Sequence, residues 1–270
     1  VAAMFGAVFA GAFYSFIDVR QPQERAYRVL SILEPKIIIT DKENEEALRR
    51  LCEAHPMLNT VYVSVEELLK RARQSDISEK LLSAARAGFY DQMPLYVNFT
   101  SGSTGVPKGV MISHLAAVDC IEWAVSVFNL DDSIRICNQA PFYFDLSVLD
   151  IYVAVKTGGT LYVPPKTYYT FPSKVLKYMD DNQINFINWA PSAYCNVVNT
   201  GAFETCVPRF LKHAWFIGEV MTCKHLNVWR KYLPDVQYVN TYGPTEFTVD
   251  ATYFELDKSR KYDNIPIGIP

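Results

Sequence analysis

Short continuous apolar runs alternate along the chain with longer stretches whose apolar residues recur every three or four positions, the patterns of strands and helices in turn. Val1 to Ala12 predicts a buried helix, and Phe13 to Ile17 a strand closing on Asp18. Pro22-Gln-Glu-Arg25 opens an amphipathic helix, with proline at a permitted first-turn position. Ile37-Ile-Ile39 predicts a short, fully buried strand of the kind found in parallel sheets covered on both faces. Thr40 or Asp41 is placed to cap the next helix, where Glu45–Arg49 and Glu46–Arg50 stand four apart on a solvated face. Thr60 to Val63 predicts a strand and Val65 to Arg73 a helix. This alternation predicts an α/β fold of layered mixed or parallel sheets covered by helices. Ser75 to Gln92, the most polar stretch, predicts a flexible connection.

Further on, Tyr96 to Phe99 is a β-type run, and Val110 to Ile112 the next strand. Ser113 can cap a helix from His114 to about Phe128. Leu146 to Ala154 and Pro172 to Asn182 predict helices; Gly158 to Val163, Ile184 to Trp189, Phe210 to Ile217 and Tyr238 to Thr241 predict strands.

At 270 residues, half of them hydrophobic, the chain can bury a large core, as one domain or as two lobes joined near 75–92. A net charge of −3 leaves no basic surplus for nucleic acid. The six cysteines are scattered without Cys-x-x-Cys spacing, in apolar or helical contexts that suit reduced thiols and a cytoplasmic location. Val1 to Ile17 is almost uncharged but lacks a basic leader, and Gly6, Ala10 and Gly11 suit tight helix packing, so a buried helix is expected, with no membrane span. With no initiator Met, the chain is expected to be a piece of a longer one.

The densest chemistry lies between the two strands near residue 100. Thr100, Ser101, Gly102, Ser103, Thr104 and Gly105, then Pro107, Lys108 and Gly109, combine hydroxyl donors, glycines that let backbone N–H groups approach an anion, and a mobile positive charge. Together they predict a phosphate-gripping loop. It is not the Walker A pattern, because Lys108 is followed by Gly109. A Ser/Gly linker is the bland alternative, yet linkers gain nothing from a fixed Pro-Lys-Gly between apolar strands. The stretch resembles the phosphate loop of the adenylate-forming superfamily, which comprises amino-acid adenylation domains, acyl-CoA synthetases and luciferases.

Asp145 stands among Phe142, Tyr143 and Phe144 just before an apolar helix. From local sequence alone it can cap that helix, or it can meet a cation, since a carboxylate beside aromatics is costly to bury unpaired. Phe144-Asp-Leu-Ser-Val-Leu-Asp-Ile-Tyr152 looks like the motif of amino-acid-activating members, whose Asp binds the substrate α-ammonium group. The wording is similar to D-alanine–carrier-protein ligases and, next, to nonribosomal peptide synthetase adenylation domains. Matching outward from Asp145, the resemblance implies a side-chain pocket of Leu146, Leu149, Asn188, Trp215, Ile217, Thr241, Val249 and Asp250. Ile217 and Asp250 depart from the D-alanine pattern. Asp250 can select a polar or basic side chain, or it can pair with a protein group.

Gly218-Glu219 ends a strand; alone it is a strand-to-helix turn with a first-turn acid, and in the family it lies against adenine and ribose. Asn240-Thr-Tyr-Gly-Pro-Thr-Glu246 looks like the family motif in which Tyr242 stacks on adenine, Asn240 pairs with the base, Thr245 bonds the α-phosphate and Glu246 holds Mg²⁺. The implied reaction forms aminoacyl-AMP and pyrophosphate from an amino acid and Mg-ATP, then passes the acyl group to a phosphopantetheine thiol on a carrier protein. Thr245, Glu246 and Lys108 are its expected catalytic residues, acting by positioning and charge neutralisation. The resemblance also implies that residues 1–270 are part of the large N-terminal domain, without the small C-terminal domain and its lysine, and that these residues alone bind nucleotide but adenylate weakly or not at all. Two alternatives stay open: an acyl- or aryl-CoA ligase, in which Asp145 only caps, and a nucleotide-binding module without turnover.

Overall fold

The computed structural model, which describes residues 1–58, 60–101 and 106–270 (Ser101 by its backbone alone), has the expected alternation of strands and helices. Its contacts divide the chain into two units, Val1–Leu115 and Ala116–Pro270, so the division falls well past the polar stretch 75–92. That stretch is not a bare connection either. Ser78 accepts from the Leu81 N–H and starts a helix at Glu79.

In the first unit, α1 (Ala2–Phe9) and α2 (Gln23–Leu33) precede β1 (Ile37–Thr40). α3 (Lys42–Ala54) leads to β2 (Val61–Ser64), which pairs with β1 in parallel. α4 (Val65–Ala72) and α5 (Glu79–Ala87) follow, then a hairpin of β3 (Pro94–Ser101) and β4 (Pro107–Ser113). Asp41 caps α3 by accepting from the Asn44 N–H at 2.8 Å. Phe13 to Ile17 forms no strand beyond the bridge of Tyr14 to Tyr96. β1 is not fully buried: Ile37 is half exposed and the other three residues only partly covered. On α3, Arg50 pairs with Glu46 as spaced, while Arg49 bonds Glu46 and Glu53.

α6 (His114–Val127) runs into the second unit, which is built on β5 (Arg135–Cys137), α7 (Leu146–Thr157), β6 (Thr160–Tyr162), α8 (Lys166–Thr170), α9 (Pro172–Asp181), β7 (Phe186–Trp189), α10 (Pro191–Asn199), β8 (His213–Phe216), α11 (Cys223–Tyr232), β9 (Gln237–Tyr242) and β10 (Thr252–Glu255). The strands form a six-stranded sheet in the order β10-β9-β8-β7-β5-β6. All pairs are parallel except β9 with β10.

The two faces of this sheet follow from side-chain alternation. Ile187, Trp189, Ala214, Phe216 and Tyr238 point to one face and join a core with Leu176, Met179, Tyr194, Leu226 and Trp229 from α9 to α11. Their polar edges are satisfied within it: Trp189 Nε1 donates to the Cys137 carbonyl, and Trp229 Nε1 to the Tyr194 carbonyl. Phe186, Asn188, Trp215, Val239 and Thr241 point to the other face, where Trp123 of α6 and Phe128 pack on Trp215 and Tyr253. All six cysteines are free thiols, and burial pushes those of Cys120 and Cys137 up to about 12. Among the described residues no helix is long and apolar enough to cross a membrane.

Candidate active site

The winding of the sheet locates the site before any side chain is considered. From β5 the chain moves one way to β6, then crosses back and adds β7, β8 and β9 on the other side. Such a reversal opens a crevice outside the carboxyl ends of the strands, where ligands of α/β folds bind. The segments leaving those ends hold the expected residues: Asp145 after β5, Gly218-Glu219 after β8, and Gly243 to Glu246 after β9.

Asp145 occupies the N-cap position of α7 but makes no side-chain cap bond, so the simple capping role is not what the structure shows. Its carboxyl meets Thr245 and Glu246 from the other strand end. Burial pushes the carboxyl above its usual range, the Thr245 hydroxyl and the Leu146 N–H hold part of that rise back, and the Glu246 charge adds to it. Asp145, Thr245 and Glu246 are therefore brought together although a hundred residues separate them in sequence.

The segment after β9 is held by a backbone that few residues adopt. Thr248 and Val249 both have positive φ, 59° and 78°, and a β-branched residue there is strained. Gly243 makes the fold-back possible, since a Cβ at that position would lie 2.2 Å from the Val249 carbonyl oxygen. Tyr242, at the end of β9, presents a ring that is half exposed. Asn240 donates from Nδ2 to the Pro266 carbonyl at 2.7 Å.

Glu219 has a different local role from a first-turn acid, because α11 begins only at Cys223. It accepts instead from the Ser192 N–H at 2.9 Å and the Ser192 hydroxyl at 3.3 Å, at the N-terminal end of α10. Gly218, with φ 92°, turns the chain to make that reach.

Most of the residues expected to line the side-chain pocket are buried, and several of their polar groups lack partners. Leu149, Asn188 and Trp215 are 0% exposed, and Ile217, Thr241 and Val249 are also buried. Asn188 Nδ2 and Oδ1 and Trp215 Nε1 have no hydrogen-bond partner, and Thr241 Oγ1 and the Asp250 carboxyl oxygens have none beyond each other. Burial, with the Asp145 charge adding to it, raises the Asp250 carboxyl to about 7, against a nearby Thr241 hydroxyl that pulls it down. Leu146 begins α7 and is partly covered. Sequence reasoning missed the wall across from these residues: Asp119, Cys120 and Trp123 of α6 border a cavity of about 400 Å³ with Glu246, Asp250 and Tyr253. A lone Trp in a helix of small residues was the available signal.

The phosphate-loop residues belong to the first unit. Gly102, Ser103, Thr104 and Gly105 lie outside the described residues. Thr100 and Ser101 are not loop residues but end β3, in register with Lys108 and Pro107 of β4. Lys108 is thus an exposed strand residue beside the hairpin end. Gly109 sits opposite Phe99, where a Cβ would come within 3.1 Å of Val97 and 3.2 Å of the Phe99 ring, so its smallness serves the hairpin.

The donor set can be tested against the implied Mg²⁺. Glu246 is an exposed carboxylate next to the Thr245 hydroxyl and the Asp145 carboxyl, all hard oxygen donors. Among the described residues no group of three or more His, Cys, Asp or Glu could hold a metal by itself. The oxygen donors of Glu246, Asp145 and Thr245 fit an ion that takes one or two carboxylates and fills its remaining positions with phosphate oxygens and water.

The model of a family described as AMP-binding enzyme matches residues 1–270. Among curated proteins, the D-alanine–D-alanyl carrier protein ligase of Staphylococcus haemolyticus is 32% identical over 270 residues, covering 98% of this chain and 52% of the relative. The ligase of the same name from Lactiplantibacillus plantarum is 31% identical, covering 99% of this chain and 51% of the relative. The Vibrio cholerae adenylation domain AlmE, solved with glycyl-adenosine-5'-phosphate, superposes with a TM-score of 0.82 at 22% identity, over 98% of this chain and 52% of its own. The nonribosomal peptide synthetase FmoA3 in its AMPPNP-bound form gives 0.81 at 22% identity, over 100% of this chain and 27% of its own. These structures share the fold, and the chain spans about half the length of the curated relatives it matches. With a family match over every residue, a sheet wound to open at its carboxyl edge and the motif residues gathered there, this chain belongs to the AMP-binding enzyme family.

Proposed function

We propose that this chain takes part in ATP-dependent activation of an amino acid, forming aminoacyl-AMP and pyrophosphate, and that the acyl group then passes to the phosphopantetheine thiol of a carrier protein. On this reading residues 1–270 belong to the large domain of the enzyme. The observation behind it is Asp145: a helix-terminal carboxyl that makes no side-chain cap bond, is partly buried, and stands against Thr245 and Glu246 at the carboxyl edge of the sheet. An α-ammonium group offers that carboxyl the charge partner it lacks, and favours its ionised form.

In the reaction the substrate carboxylate oxygen bonds to the α-phosphorus while the bond from that phosphorus to the β-phosphate bridge breaks, releasing pyrophosphate. The roles follow from placement. Asp145 fixes the amine, and so sets where the substrate carboxylate lies. An ammonium group at Asp145 takes over the contact now made by the Thr245 hydroxyl, which is then free to donate to an α-phosphate oxygen. Tyr242 supplies a flat exposed face for the base. Asn240, one of whose amide N–H groups donates to the Pro266 carbonyl, would meet the adenine amino group through its carbonyl oxygen. Glu246 would hold Mg²⁺, which when bound neutralises phosphate charge. Thr100 to Gly105 and Lys108 would grip the leaving phosphates.

Amino-acid-dependent exchange of pyrophosphate into ATP by the protein at its natural length tests the reading, with D-alanine first in the panel because of the names of the relatives. Exchange that needs an amino acid is expected. Exchange driven by a carboxylic acid without an amine, and by no amino acid, would replace the reading with that of an acyl- or aryl-CoA ligase.

A further inference from the structure

The side of the pocket beneath α6 shows what it would select. Asn188 and Trp215 are register partners on β7 and β8, and Thr241 lies on the same face of the sheet two residues past Val239, the partner of Trp215. Trp123 of α6 packs on Trp215 at 6.2 Å and on Tyr253 at 5.4 Å between ring centroids, and closes the face from above. Asp250 enters this space beside Cys120 and Thr241. Asn188 Nδ2 and Oδ1 and Trp215 Nε1 are buried here without a hydrogen-bond partner, and the buried Thr241 hydroxyl and Asp250 carboxyl have no partner beyond the approach of one to the other. A folded core rarely leaves so many such groups together unless a ligand completes them.

The charge of the wall narrows the ligand further. Asp119, Glu246 and Asp250 border the cavity of about 400 Å³, of whose lining Asn188, Trp215 and Thr241 are not part, and among the described residues no Lys, Arg or His lines it. Asp145 adds its charge to the field on Asp250. Trp123, Phe247 and Tyr253 supply aromatic surface in the same wall. A neutral aliphatic side chain would leave the Asp250 carboxyl buried and unpaired, the costly arrangement, whereas a cation would pair with it and with the aromatic faces.

We propose that the pocket selects an amino acid with a positively charged side chain, an ammonium or guanidinium group, that Asp250 meets directly. The proposal rests on the amino-acid-activation reading, and adds to it the substrate class and the residue that sets it.

The test is calorimetric titration of the natural-length protein with non-hydrolysable sulfamoyl analogues of aminoacyl-AMP bearing lysine, ornithine, arginine, D-alanine and leucine side chains, with AMP alongside. At least one cationic analogue is expected to bind about tenfold or more tighter than the D-alanine and leucine analogues. Asp250→Asn, nearly isosteric, is expected to erase that preference, so that no cationic analogue binds tighter than the D-alanine and leucine analogues. If aminoacyl analogues outbind AMP but the D-alanine or leucine analogue leads, the cation proposal falls and the activation reading stands. If no aminoacyl analogue outbinds AMP, the activation reading falls and the proposal with it. Should Asp250→Asn fail to fold, the order of affinities in the unsubstituted protein decides alone.

Discussion

A carboxylate at a helix N-terminus ordinarily bonds the first free N–H groups, and removing it costs about 0.5–2 kcal/mol. Asp145 makes no side-chain cap bond, though the Leu146 N–H and the Thr245 hydroxyl bond its carboxyl, so Asp145→Ala should lower the unfolding free energy by no more than about 1 kcal/mol, measured by urea denaturation. The same substitution should lower kcat/KM for amino-acid-dependent pyrophosphate exchange by about 100-fold or more, the usual scale for deleting one partner of a desolvated charge pair. Equal losses of stability and activity would mark Asp145 as structural. Asp145, Thr245 and Glu246 were legible in the sequence because each sits in a short motif whose residue types match one chemistry. Glu219 was legible as a position but not as a contact: its partner Ser192 lies 27 residues earlier, and nothing local announces the pair.

At the scale of elements, two backbone positions make opposite predictions. Glu34 ends α2 in the left-handed conformation, φ 44°, exposed to solvent, where glycine is free of the Cβ penalty. Glu34→Gly should therefore stabilise the protein by about 0.5–1 kcal/mol, read as a raised urea midpoint with unchanged slope. Gly243→Ala should destabilise by about 1–3 kcal/mol, because the added carbon must displace the Val249 backbone, and it should weaken nucleotide binding as the Thr245-Glu246 segment shifts. Most elements could be read from periodicity, and they differ from expectation where pairing overrides local composition. Thr100, Ser101 and Lys108 look like loop residues, yet the β3–β4 ladder extends through them. The segment 75–92 looks like a linker, yet Ser78 and the apolar residues after it suffice for a helix. Ile37 to Ile39 reads as core by composition, and the sheet that would have covered it has only two strands.

For the whole molecule, no stretch of sequence disclosed the strand order, because a pairing such as β5 with β7 joins residues about fifty apart. Buried acids make the fold's stability depend on pH in a calculable direction. Asp150 is fully buried with one oxygen bonded to Asn138 Nδ2 and the other unpartnered, and burial raises its carboxyl to about 8 against the hydrogen bond from Asn138. The unfolded chain releases this proton near pH 4, the folded chain only near 8, so the contribution is complete below about 4 and is lost as pH rises to about 8. Compared with Asp150→Asn in urea titrations across that range, the parent should lose stability steadily with rising pH and then run parallel; curves parallel throughout would show an ionised Asp150. The unsatisfied groups on β7, β8 and β9 have an evolutionary consequence as well. On the proposed reading, Asn188, Trp215 and Thr241 belong at once to the sheet that must fold and to the surface that discriminates between substrates. Laboratory selection for thermal tolerance alone would thus be drawn to replace Asn188 or Thr241 with aliphatic residues, and would produce sturdier proteins that accept a wider range of amino acids.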